Sequence, residues 1–295
     1  MRNTAVFLAA AGLALSTACA RAEGTLDKVK ASGAIGVAYR EASIPFSYLD
    51  DKAQPTGFAY EICNRIVDEV KKVTGRADLK VNYQPVTSAN RIPLLVNGTI
   101  DIECGSTTNN SERAKQVAFA INYFYTGTRF LVKSDSGIKG LADLHNKIVV
   151  STTGTTNFKI MRGLISEQKL PIELIGAKDH AESALLVESG RAAAFAMDDI
   201  LLYGLRASAQ NPASLAVVGD PIQVEPYAIM LRRDDPDFKK LVDGVIAGLM
   251  KSGEFTRLYT KWFMSPIPPK GINLNAPMGK ELQDNLKALS DKPAT

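Results

Sequence analysis

Strand-like and helix-like runs alternate along almost the whole chain from Thr25 onward, and that alternation restricts it to an α/β architecture. Residues 25–32 read as a short helix stopped by Gly33, and 34–39 as a strand that delivers Arg40 at its end. Residues 58–73 form an amphipathic helical pattern whose polar face carries Glu61, Arg65, Asp68, Glu69, Lys71 and Lys72. A strand at 80–86, a short helix at 91–96 with Ser88 and Asn90 as candidate caps, and a strand at 99–104 complete a first series. A second series has strands at 147–151, 171–175, 192–196 and 214–218, with helices at 157–168, 181–189 and 201–209 between them.

Two β-rich runs, 123–133 and 225–231, connect the two series. Two crossings between two α/β units suggest two lobes about a hinge. Residues 23–125 and 226–295 are expected in one lobe and 126–225 in the other. The first lobe then includes helices at 235–250 and 253–263, a Pro-rich run at 266–270 and a last helix near 279–289. The length exceeds what one minimal core needs, which suits two lobes.

The N-terminus bears on compartment. Arg2 precedes an almost unbroken apolar run from Ala5 to Leu15, followed by Ala18-Cys19-Ala20 and Ala20-Arg21-Ala22, both small-x-small cleavage patterns. Residues 1–22 therefore read as a secretory signal peptide, too short in its apolar part to anchor in a bilayer. A lipid anchor at Cys19 is disfavoured, because Leu15-Ser16-Thr17-Ala18 fits the lipoprotein pattern poorly. The formal charge of +4 loses Arg2 and Arg21 with the leader and falls to +2, with no basic block, which argues against nucleic acid. Cys63 and Cys104 remain. Cys63 shares a helical face with Ile62, Ile66, Val67 and Val70, and Cys104 alternates in phase with Ile100 and Ile102. In an oxidising compartment they form either a disulfide or two separate buried thiols. His145 and His180 are the only histidines and lie at no metal-binding spacing, and no motif asks for a cofactor.

The polar signals gather where strands end. Glu103-Cys104-Gly105-Ser106-Thr107-Thr108-Asn109-Asn110, with Arg113 beyond it, opens a strand into a turn of free N–H groups, short hydroxyls and a bidentate cation. Arg40, the turn Gly154-Thr155-Thr156 and Asp198 likewise follow expected strands, and ligands of such sheets bind at strand carboxyl ends. The Gly154 turn lacks the lysine and spacing of a phosphate loop, leaving Thr155 or Thr156 as a plain helix cap. Asp198 also reads as a cap, and Arg40, Arg91 and His180 taken singly read as surface residues. No nucleophile elbow is present.

Five stretches together carry a family resemblance: Ser88-Ala89-Asn90-Arg91-Ile92-Pro93-Leu94-Leu95, Cys104 to Lys115, Gly154-Thr155-Thr156-Asn157, Ala177-Lys178-Asp179-His180 and Met197-Asp198-Asp199. In order and spacing they resemble the periplasmic glutamate/aspartate-binding proteins, substrate-binding components of bacterial ABC importers. The resemblance runs from about residue 25 to the Pro-rich run. It implies a type II periplasmic-binding-protein fold, with a ligand cleft between two lobes and two hinge strands. It implies that Arg113 pairs with the ligand's α-carboxylate, helped by Thr108 and the backbone around Thr156. Asp198 would take the α-ammonium, with Ser106 beside it. Arg40, Ser88, Arg91 and His180 would surround the side-chain carboxylate, and Thr155 would contribute from the second lobe. A zwitterion with an acidic side chain needs that charge pattern, whereas glutamine would set a neutral amide against two arginines. His180 beside a carboxylate is expected to be protonated, with affinity falling at high pH. The expected partners are an acidic amino acid and an inner-membrane ABC permease, and the subunit is expected to be monomeric, periplasmic and not an enzyme. A sensory module presenting ligand to a membrane receptor, and a periplasmic enzyme on the same fold, are the alternatives.

Overall fold

A computed structural model describes residues 24–294; the expected signal peptide and Cys19 lie outside them. The residues form two large sheets and one small one. In the first, Ala34–Tyr39 is parallel to both Lys80–Pro85 and Ile102–Cys104, and Met230–Arg232 runs antiparallel between Ile102–Cys104 and Val117–Phe119. In the second, Ile148–Thr152 is parallel to Glu173–Ala177 and to Ala194–Asp198, and Phe124–Lys133 lies antiparallel between Ala194–Asp198 and Leu215–Val218. Both are open sheets with helices in their crossovers.

The long strand Phe124–Lys133 does two jobs. Its second half belongs to the second sheet, while Phe124–Gly127 pairs antiparallel with Val224–Tyr227. These paired segments are the two crossings. They rest on an aromatic platform: Phe46 lies 4.9 Å from Phe124 and 5.2 Å from Tyr227 by ring centroid, and Phe124 stacks on Phe263 at 5.0 Å. The platform ties the crossings to the helix Glu254–Phe263.

The helix Phe58–Thr74 buries Ile62, Cys63, Ile66, Val67 and Val70 against the first sheet. Cys63 is bonded to Cys104 across 41 residues, with Cα atoms 6.1 Å apart. The bond pins the helix to the strand that opens into Gly105. No helix among the described residues is long and apolar enough to cross a membrane.

Local departures from the sequence reading have identifiable causes. Only Ile102–Cys104 of residues 99–104 is a strand, because Asp101 turns its carboxylate back to the Gly36 amide at 2.8 Å. Ser88 and Asn90 do not cap Arg91–Val96 through their side chains; Asn90 Oδ1 accepts from the Thr87 amide instead. The small sheet of Ala42–Ser43, Ser47–Leu49 and Pro55–Thr56 has strands too short to show a period of two.

Closing a loop of 41 residues removes chain entropy from the unfolded state worth ~4 kcal/mol. Replacing both Cys63 and Cys104 by alanine should therefore lower the unfolding free energy by about 3–4 kcal/mol. Urea denaturation midpoints at constant slope measure this; an unchanged midpoint would contradict it.

Candidate ligand-binding site

Parallel strands of both sheets end toward one place. Arg40 follows Ala34–Tyr39; Ser88 and Arg91 follow Lys80–Pro85; Ser106, Thr108 and Arg113 follow Ile102–Cys104. From the second sheet, Thr155 and Thr156 follow Ile148–Thr152, His180 follows Glu173–Ala177, and Asp198 ends its strand. All ten side chains are buried, so the surface reading of Arg40, Arg91 and His180 is overturned. All but Arg40 and Arg113 line one narrow cleft, together with Asn157 and Met197.

One end of the site is basic. Arg91 Nη1 donates to Thr107 Oγ1 at 2.6 Å and to the Ser106 carbonyl at 3.3 Å, and lies 3.8 Å from Glu103 Oε1. Arg40 Nη2 lies 3.3 Å from His180 Nε2. An arginine cannot accept, so Nε2 accepts and Nδ1 carries the proton, donating to Thr152 Oγ1 at 2.9 Å. Thr152 in turn bonds Ser183, which donates to the Asp179 carbonyl. That chain fixes a neutral His180. Burial and the adjacent Arg40 and Arg91 push its pKa well below the usual histidine range. The expected imidazolium is thereby corrected: two guanidiniums face this ring. Burial, then Arg91, pushes Arg40 down to about 9 against the pull of Glu103, and burial pushes Arg113 down to about 10. Arg40 Nη1, Arg91 Nε and the Ser88 and Ser106 hydroxyls are buried with no partner among the described residues. Gly105 allows this crowding, since a Cβ there would stand 2.3 Å from Glu103 Oε1 and 2.8 Å from Arg40 Cγ.

The other end is acidic. Asp198 accepts from Asn157 Nδ2 at 2.7 Å and from the Tyr227 hydroxyl. It makes no side-chain cap to the helix Asp199–Ser208, so it is not the plain cap the sequence allowed. Burial and the nearby Glu225 hold its carboxyl well above the usual range. Thr155, by contrast, does cap its helix, accepting from the Phe158 amide at 3.1 Å. Arg113 joins the lobes, donating to the Thr108 carbonyl at 3.0 Å and to the Gly154 carbonyl at 3.1 Å. Gly154 has φ +79°, and a Cβ there would lie 2.6 Å from Ala89, so the two backbones meet face to face.

Glu225 was missed. Its Oε2 accepts from both Thr108 Oγ1 and Thr156 Oγ1 at 2.6 Å, so one oxygen on a crossing strand ties hydroxyls from both lobes. The available signal was Glu225-Pro226-Tyr227, an acid and a phenol two apart on one face of the return strand. Among the described residues no cluster of three or more His, Cys, Asp or Glu could hold a metal ion.

Residues 35–265 match the family described as bacterial extracellular solute-binding proteins, family 3. The chain belongs to that family. It is 50% identical over 284 residues to the glutamate/aspartate import solute-binding protein of Escherichia coli, covering 96% of this chain and 93% of that one. It is 48% identical over 272 residues to an L-glutamate/L-aspartate-binding protein of Pseudomonas aeruginosa, covering 92% and 90%. Among solved structures, an ancestral arginine-binding protein bound to arginine superposes with a TM-score of 0.69 at 27% identity, over 78% of this chain and 98% of that one. The fold is the two-lobe type II architecture of these binding proteins. Family members bind small solutes and work with ABC permeases.

Asp198 gives a stability prediction with a definite sign. Its folded pKa lies above the unfolded value of ~3.9, so its contribution is fully present below that value and is lost as pH rises through the folded pKa. At pH 7 the buried carboxylate is destabilising. Asp198→Asn, whose amide can serve the same two neighbours, should raise the melting temperature at pH 7 and narrow that gain on acidification. Differential scanning calorimetry across pH reads both effects.

Proposed function

We propose that this protein captures L-glutamate and L-aspartate in the periplasm and delivers them to an ABC-type amino-acid permease. The observation that carries the reading is the set of four buried, unpartnered donors at the basic end: Arg40 Nη1, Arg91 Nε, Ser88 Oγ and Ser106 Oγ. A side-chain carboxylate satisfies them and relieves the repulsion between Arg40 and Arg91. The α-carboxylate fits between Arg113 and the N-terminus of the helix Thr156–Glu167. Both threonine hydroxyls commit their protons to Glu225 and turn lone pairs to the cavity, which suits an α-ammonium beside Asp198. The names of the relatives from Escherichia coli and Pseudomonas aeruginosa support the same ligands.

The reading includes a leader over residues 1–22, lobes of 23–125 with 226–295 and of 126–225, and a monomer that does no chemistry.

Calorimetric titration of refolded, ligand-stripped protein with glutamate, aspartate, glutamine and arginine tests the reading. The two acids should bind far more tightly than the other two, and Arg91→Ala should lose 100-fold or more toward them, about 3 kcal/mol. Preference for glutamine or arginine, or an indifferent Arg91→Ala, would overturn the acidic-ligand assignment. Affinity should not fall as the pH rises from 6 to 8, because His180 is already neutral. It should fall on the acid side once Asp198 protonates, starting above the ordinary carboxylate range. Loss of affinity on raising the pH through 6.5 would instead restore a charged His180.

A further inference from the structure

The match to the family ends at residue 265, yet the chain continues through an ordered tail that returns to the binding site. The helix Lys280–Ala288 ends at Leu289, whose φ of +51° turns the chain back. Residues 290–294 then run along the loop that follows Ile102–Cys104. The Ala294 amide donates to the Asn109 carbonyl at 2.9 Å, and the Ser111 amide donates to the Ala294 carbonyl at 3.2 Å. Asn109 Nδ2, buried, donates to the Asp291 carbonyl at 2.8 Å and to Asn122 Oδ1 at 3.0 Å. Asn122 fixes the tail from the other side, donating through Nδ2 to the Lys292 carbonyl at 2.9 Å and through its amide to the Ser290 carbonyl at 3.0 Å. Asn285 closes the set, donating to the Asn122 carbonyl at 2.7 Å and accepting from the Ser290 amide.

The loop held in this way is the one that orients Arg113. Thr108 supplies the carbonyl that takes Arg113 Nη1, and Asn110 Oδ1 accepts the Arg113 amide at 2.9 Å. On its other edge the same loop is tied to the return strand, through Asn109 to the Pro226 carbonyl and the Ala228 amide to the Thr107 carbonyl. The loop is thus a ribbon with the return strand on one edge and the tail on the other.

We propose that residues 290–294 are a positioning strap: they hold the Thr107–Arg113 loop in the conformation that grips the ligand, so that affinity depends on a segment outside the family's common core. The inference rests on the binding function proposed above. The strap residues touch no ligand group themselves; they act through Asn109 and Ser111 on Thr108 and Arg113.

The test compares L-glutamate binding by the full mature chain, a chain stopped after Leu289, and the point variant Ala294→Pro, which removes one donor to the loop. Each is titrated at a temperature where circular dichroism shows it fully folded. The full chain failing to bind glutamate would refute the proposed function itself. With the full chain binding, the strap predicts roughly tenfold or greater loss in the stopped chain, a smaller loss in Ala294→Pro, and faster amide exchange at Thr107–Ser111. A lower melting temperature with affinity unchanged within about twofold would overturn the strap, leaving the tail a purely stabilising element. Should the stopped chain not fold, reciprocity supplies the readout in the intact protein. Saturating L-glutamate should then slow exchange of the Ala294 and Ser111 amides about tenfold more than of amides in the helix Lys280–Ala288; equal slowing would overturn the proposal.

Discussion

Three guanidiniums, three carboxylates and a neutral imidazole are buried where the two sheets face each other, and the rest of the structure is arranged around keeping them there. An isolated charge in such a place is very unfavourable, so each guanidinium donates to, and each carboxylate accepts from, a neighbouring side chain or backbone group. The chain from Arg40 through His180, Thr152 and Ser183 to the Asp179 carbonyl is one case; Asp198 between Asn157 and Tyr227 is another. Bonds of this kind need partners fixed to fractions of an ångström. The parallel strands supply that fixity, and the disulfide between Cys63 and Cys104 anchors the strand that opens into Gly105.

The crossing strands connect this charge to lobe motion. Glu225 and Tyr227 project from one face of Val224–Tyr227, the first to Thr108 and Thr156, the second to Asp198. Thr108 belongs with the first sheet and Thr156 with the second, so both bonds to one Glu225 oxygen exist together only when the lobes are close. The aromatic platform under Phe124 and Tyr227 packs the base of the crossings. Closure and site assembly are then one event, the behaviour expected of a hinge that couples capture to a shape change.

Most of the architecture was legible because it depends on local pattern. The 58–73 helix announces itself by its polar and apolar faces, and Arg40, Gly154 and Asp198 each fall where a strand ends. What could not be read was pairing at long range. Met230–Arg232 inserts antiparallel between Ile102–Cys104 and Val117–Phe119, and nothing in its own residues selects those neighbours. Glu225 looks like one more acid until Thr108 and Thr156, 117 and 69 residues away, are brought to the same oxygen. The His180 error has the same origin. A histidine next to a ligand carboxylate should be charged, but the fold buries the ring and sets two arginines against it, and burial and their field both act before any ligand arrives.

That field also explains how an acidic ligand can be favoured by a site with as many buried carboxylates as arginines. The charges are segregated. Asp198 and Glu225 gather beside the threonine hydroxyls, while Arg40 and Arg91 face each other near Ser88 and Ser106. Of these three carboxylates, Glu103 is the one at the basic end, and it is engaged by Thr107 and lies 3.8 Å from Arg91. Arg40 has no carboxylate in hydrogen-bonding contact among the described residues, and its guanidinium is held down to about 9 by burial and by Arg91. Under the proposed reading, a ligand carboxylate at that end gains both a pair of donors and the release of a repulsion built into the protein. A neutral amide would gain part of the first and none of the second. Discrimination then comes from the unfavourable arrangement of the two arginines as much as from the contacts they make, which is the way a binding site rejects a near-isosteric competitor.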